Sequence, residues 1–212
     1  MGSEGHYPWE SPRHRVFLDE FGISPTSVTR GEFQGFLTAT GHEEPRDWSA
    51  PNLSDPQQPV VGVNWFDAVR YCEWLSASTG KRFRLPTEAE WEKACRGGHD
   101  DADYAWGNAS PAAHPYFLGD WAGPRRVGEW QANPYGIFNL GENVHEWCGD
   151  WFAADYYSAS PESNPTGPES GSRRVSRGGS WRHLVKFSRA AHRSSLPPQF
   201  RYTDYGFRVV SA

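Results

Sequence analysis

The most reactive side chains in this sequence are three cysteines, Cys72, Cys95 and Cys148, and a scatter of histidines and acids late in the chain. Three thiols are an odd number, and no two have the spacing of a zinc knuckle or a redox dithiol. Buried, reduced thiols are therefore expected. His145 and Glu146 stand side by side in NVHEW, and His183, His192 and Asp204 follow nearer the end. Imidazoles and a carboxylate could hold iron or copper, but the spacing of these three is not diagnostic. Gly178 and Gly179 precede Ser180, yet no helix follows them, so the pair reads as backbone shape and not as the elbow of a nucleophile. HExxH, GxSxG and a phosphate-cradling glycine loop are all missing from the sequence.

The elements that must position these groups are short and rich in rings. The chain has 212 residues with 15% aromatic content, 11 Trp, 22 Gly and 17 Pro. This profile suits one loop-rich domain whose core is filled by rings and not by leucine-rich helices. A net charge of −5, with both signs interleaved, gives no footprint for nucleic acid. No apolar run reaches membrane-spanning length, so no direct membrane insertion is expected, and MGSEGHYPWE lacks the apolar centre of a signal peptide. The default location is cytoplasmic, with display on a cell or phage surface open through a partner protein.

Three amphipathic helices are legible. In TRGEFQGFLTATG, Thr29 and Glu32 form a capping box, Phe33, Phe36 and Leu37 make an apolar stripe, and Gly41 ends the helix. In NWFDAVRYCEWLSASTG, Asn64 caps and Ala68, Tyr71, Cys72 and Leu75 share a face up to Gly80. In LPTEAEWEKACRGG, Thr87 and Glu90 repeat the capping box, with Trp91, Ala94 and Cys95 facing in before Gly97. From Tyr104 onward, turn signals separate short strand-like runs: YGIF, EWCGDWF, RRVSRGGSW and GFRVV. Trp147 and Trp151 are expected in the core, and residues 158–172 as a surface loop. The predicted fold class is α+β.

These phrases, in order, resemble the formylglycine-generating-enzyme (sulfatase-modifying factor) family: HRVFLDEFGISPTSVTRGEFQGFL, PVVGVNWFDAVRYCEWLSASTGKRFRLPTEAEWEKACRGG, YAWGN, NPYGIFNLGENVHEWCGDWF, RVSRGGSW and GFRVV. The resemblance implies a single loop-rich variant of the C-type lectin fold over residues 1–212. It also implies a copper-binding thiol pair shortly after the GGSW phrase, where thiolates would hold Cu(I). That segment reads GGSWRHLVKFSRAAHRSS and contains no cysteine. The oxidase chemistry is therefore not expected, and the chain is read as a non-enzyme. The family's structural calcium would fall to Asn139, the carbonyls of Glu142 and Val144, and the carboxylate of Glu146, with Glu142 standing where a glycine is usual. Hard oxygen ligands in a turn-rich loop suit that ion.

Between Trp181 and Gly206 the sequence has no sustained period. Arg182, His183, Leu184, Phe187, His192, Ser194, Ser195, Leu196, Phe200, Tyr202, Thr203, Asp204 and Tyr205 mix every chemical class. They are set in a frame of Ser188–Ala191, Arg193, the Pro197–Pro198 pair, Arg201 and the GFR of Gly206–Arg208. This pattern resembles the variable proteins of diversity-generating retroelements, in which template adenines are replaced and AAC codons become NNC. Such codons encode Phe, Leu, Ser, Tyr, His, Arg, Thr and Asp but never Lys, Gln, Glu, Trp or Met, so Lys186 and Gln199 would be fixed by the template. The resemblance implies a variable region over 181–206 that binds a protein or glycan, not nucleic acid. A metal-dependent oxidoreductase using His183, His192 and Asp204 is the alternative. A plain non-catalytic domain of the family is another.

Overall fold

The computed structural model describes residues 1–211. Helix α1 (Arg30–Thr40), α2 (Trp65–Thr79) and α3 (Glu88–Arg96) form where the capping signals place them. Thr29 accepts from the Glu32 N–H, and the Glu32 carboxylate accepts from the Thr29 N–H at 2.7 Å. Each helix ends at a glycine in the left-handed region, Gly41, Gly80 or Gly97, a conformation that carries no Cβ penalty in glycine alone.

Two small sheets carry the rest. Strand β7 (Val210–Ser211) lies between β1 (Gly22–Ile23) and β2 (Phe83–Arg84). The larger sheet has the order β5 (Arg193–Leu196), β4 (Arg174–Arg177), β3 (His145–Trp151) and β6 (Tyr205–Gly206). Its pairs are antiparallel except β3 with β6, where His145 faces Tyr205 and Glu146 faces Gly206 in parallel register.

Rings fill the core as the composition implies. Phe33 stacks on Tyr71 at 5.7 Å, and Phe207 packs edge-on against Tyr71 at 5.3 Å, which ties α1 and α2 to the end of the chain. On the other side, Trp91, Ala94 and Cys95 of α3 meet Leu140, Cys148, Val175 and Ala190. Trp147 is fully buried, whereas Trp151 is half-buried beneath the Arg174 guanidinium, 3.5 Å from its ring centroid.

Two strand expectations fail for identifiable reasons. YGIF is a turn, because the Asn133 side chain accepts from the N–H groups of Tyr135 and Ile137 that a neighbouring strand would otherwise use. In GFRVV only Gly206 and Val210 are in strands. Phe207–Val209 cross from one sheet to the other, held by Val28 donating to Phe207 O and Ser24 donating to Val209 O, each at 2.9 Å.

Candidate functional site

The C-terminal segment is pinned from below at closely spaced points. Gly179 donates to Gly141 O at 2.8 Å and Trp181 to Asn143 O at 2.9 Å, so the GGSW phrase lies against the 139–146 loop. A Cβ on Gly179 would sit 2.6 Å from Ser188 Oγ and 2.9 Å from Gly141 O, which leaves room for glycine alone. Arg177 is fully buried and donates to the carbonyls of Ala190, Ala191 and His192 as well as to Glu92. Arg193 forks onto Glu88 at 2.7 and 2.9 Å, and Arg189 onto Glu10 at 2.8 and 2.7 Å. Guanidinium–carboxylate pairs of this geometry satisfy both partners in the interior and fix backbone direction.

Above this frame the site residues divide by exposure. Arg182, His183, Leu184 and Phe200 face solvent, Leu184 at 67% and Phe200 at 42% relative exposure. Phe187, Tyr202 and Thr203 are half-buried, as are Ser194, Ser195 and Leu196, which pair backbone to backbone with Ser176, Val175 and Arg174. His192, Asp204 and Tyr205 are buried, which corrects the expectation that they belong to an outer surface. The cause is the parallel pairing of β6 with β3: it draws Tyr205 onto Trp147, at 5.3 Å, and places Asp204 beneath the loop. His192 is enclosed by the rings of Tyr7 and Phe187 and by Glu10.

The rings form an unbroken line across this face. Phe200 lies parallel to Tyr202 at 6.0 Å, and Tyr202 meets Tyr205 at 6.0 Å. Tyr205 stacks on His145 at 4.7 Å, and His145 contacts His183 at 4.8 Å. His183 and His192 flank Phe187 at 5.5 and 5.0 Å. Such contacts hold large apolar area in place at small conformational cost.

Under the line sits a polar cluster that the sequence reading did not assemble. His145 Nε2 is 2.7 Å from His183 Nδ1, and His183 Nε2 is 3.7 Å from Asp204 Oδ2. Ser180 Oγ donates to Asp204 Oδ2 at 2.9 Å, and the Arg182 guanidinium lies 3.0 Å from Asp204 Oδ1. Burial, and then the neighbouring His183, hold the His145 imidazole well below the ordinary histidine range. His192 is absent from this group, so the anticipated trio of His183, His192 and Asp204 is not one cluster. Only a β3–β6 pairing brings His145 and Asp204 together, and nothing local in either stretch announces it.

The residues to which the family resemblance assigns metals are engaged with one another and with other protein groups. Glu146 accepts from Ser27 Oγ, Trp91 Nε1 and both Arg208 Nε and Nη2, at 2.6 to 2.9 Å. Asn139 Oδ1 accepts from Gly128 N and its amide donates to Glu142 Oε1, while Glu142 O accepts from Val144 N. Both carboxylate oxygens of Glu146 thus already accept from protein donors, two of them on the Arg208 guanidinium. Cys72, Cys95 and Cys148 are buried, free thiols, and burial pushes Cys72 up to about 12. No thiolate pair is available for copper.

Residues 1–212 match the sulfatase-modifying factor enzyme 1-like domain. The chain belongs to that family. It is 38% identical over 264 residues to the formylglycine-generating enzyme of Thermomonospora curvata, covering 95% of this chain and 85% of that one. It is 35% identical over 220 residues to the serine/threonine-protein kinase pkn1 of Chlamydia caviae, but spans only 34% of that protein's length. Among solved structures of similar shape, PvdO from Pseudomonas aeruginosa superposes with a TM-score of 0.83 at 30% identity, covering 100% of this chain and 89% of that one. Treponema denticola variable protein 1 superposes with a TM-score of 0.82 at 27% identity, covering 99% and 90%. This member of the family has the scaffold, which is C-type-lectin-like, without the thiol pair. Among the described residues, no helix is long and apolar enough to cross a membrane.

Proposed function

We propose that this family member is a non-catalytic ligand-binding protein whose C-terminal face is a diversified recognition surface for a protein or glycan. The observation that carries the reading is the division of exposure within one segment. Arg182, His183, Leu184 and Phe200 project to solvent, while Arg177, Arg189, Arg193 and Arg208 between and around them are buried and each paired with a carboxylate. A backbone held by ion pairs and glycine crossings does not depend on exposed side chains such as Leu184 and Phe200, so these are free to change. Exposed Phe200 beside Tyr202, together with exposed Arg182 and His183, supplies aromatic anchors and directed polar contacts of the kind that dominate binding interfaces. Arg182, His183, Leu184 and Phe200 all carry residues that an NNC codon encodes, whereas the exposed Lys186 and Gln199 do not and would be fixed by the template. The likeness to a protein named as variable, from Treponema denticola, supports the same reading.

Sequencing the DNA that flanks the coding region tests this. The reading requires a near-copy of the last ~100 bases with adenines concentrated at the codons for Arg182, His183, Leu184, Phe200 and Tyr202. It also requires fewer differences at the buried Asp204 and Tyr205. A flanking region with no such copy contradicts diversification and leaves a plain non-catalytic domain.

A further inference from the structure

We propose that His145, His183 and Asp204 bind one divalent transition-metal ion, which fastens the exposed loop after Ser180 onto the larger sheet. One potential ligand atom from each lies within 4.8 Å of the others. His145 opens β3, and its N–H donates to Asp204 O at 2.9 Å, so both side chains start from backbone that is already locked together. The Tyr205 ring stacked on His145 fixes the plane of that imidazole, and Ser180 Oγ orients the Asp204 carboxylate from behind. Outer groups of this type are what metal sites use to aim their ligands.

His183 is the adjustable member. It is exposed and comes from the loop, so a modest turn of its ring moves a nitrogen lone pair to an ion shared with His145 Nε2 and Asp204. Two imidazole nitrogens 2.7 Å apart can share only one proton, so at least one lone pair already points into the gap. Asp204 is fully buried, and its Oδ1 makes no well-directed hydrogen bond. Among the described residues, the permanent charge paired with it is the Arg182 guanidinium, which is exposed and free to withdraw as a metal cation takes its place. Two imidazoles and one carboxylate select zinc, cobalt, nickel, copper or iron over calcium and magnesium, and three protein ligands leave positions open for water or for a group on a bound partner. The site does not depend on the diversification reading, because two of its three ligands belong to the buried frame.

The test is titration of Co(II) into untagged, EDTA-stripped protein, following visible d–d absorption. The expected result is saturation at one equivalent. His183→Ala should weaken binding at least about tenfold, whereas His99→Ala, an exposed histidine elsewhere, should leave it unchanged. His183 is exposed, so its variant keeps the fold, which the far-ultraviolet spectrum and melting temperature would verify. The absence of saturable binding, or equal affinity in His183→Ala, overturns the assignment.

Discussion

Glu10 and Arg189 meet in a two-point ion pair, 2.7 and 2.8 Å between charged atoms, across 179 positions of sequence. Both are buried, and His192 and Ser3 add to the same carboxylate, so the first residues of the chain act as a strut under the C-terminal face. Glu10→Ala leaves a buried guanidinium without its partner, a loss of about 3–5 kcal/mol. At this chain length that lowers the melting temperature by roughly 10 °C or more, measured by differential scanning calorimetry.

Acid should release the same strut. Burial opposes ionisation of Glu10, but the adjacent His192 and the two hydrogen bonds from Arg189 outweigh it and hold the carboxyl down at about 2. Glu92, between Arg177 and Arg96, is likewise lowered to about 2 against burial. A folded value below the unfolded one contributes stability that is complete above pH ~4.5 and disappears as pH falls toward 2. A melting temperature that is flat from pH 4.5 to 2.5 would contradict this pairing.

Glu142 works in the opposite sense. Burial raises it to about 7, and its Oε2 has no partner, so the folded protein holds it protonated where the unfolded chain would ionise it. That difference costs stability increasingly as pH rises from ~4.5 to about 7. Glu142→Gln removes the cost while its amide oxygen still accepts from Asn139. The variant's melting temperature should gain on the parent between pH 5 and pH 8, by the equivalent of about 1–3 kcal/mol.

Within EWCGDW the two tryptophans should separate. Trp147→Ala empties a fully buried site and loses the indole N–H bond to Val63 O, a cost of about 3–5 kcal/mol. Trp151→Ala loses a half-buried ring and a stacking guanidinium, a cost nearer 1–2 kcal/mol. Urea unfolding curves of both variants check the order, and equal losses would show that the burial difference carries no weight.

The helices were readable because capping boxes and terminal glycines are local signals, and Thr29–Glu32, Asn64 and Thr87–Glu90 all act as read. What escaped was set by partners far away in sequence. Glu88 and Glu92 lie on the inner side of α3 because Arg193 and Arg177 arrive from the C-terminal segment to pair with them. Strand β5, with the sequence RSSL, has little strand propensity of its own and forms because Arg193 is anchored at Glu88. The same long-range pairing buried Asp204 and Tyr205, two positions whose erratic chemistry had suggested a free surface.

The exposed face is most directly tested by replacing Leu184 and Phe200 together with serine and recording a thermal melt. An unchanged scaffold predicts a shift within about 3 °C, because these side chains lie outside the ion-paired frame. A fall of more than about 10 °C would mean that the face is part of the core and not a surface for recognition.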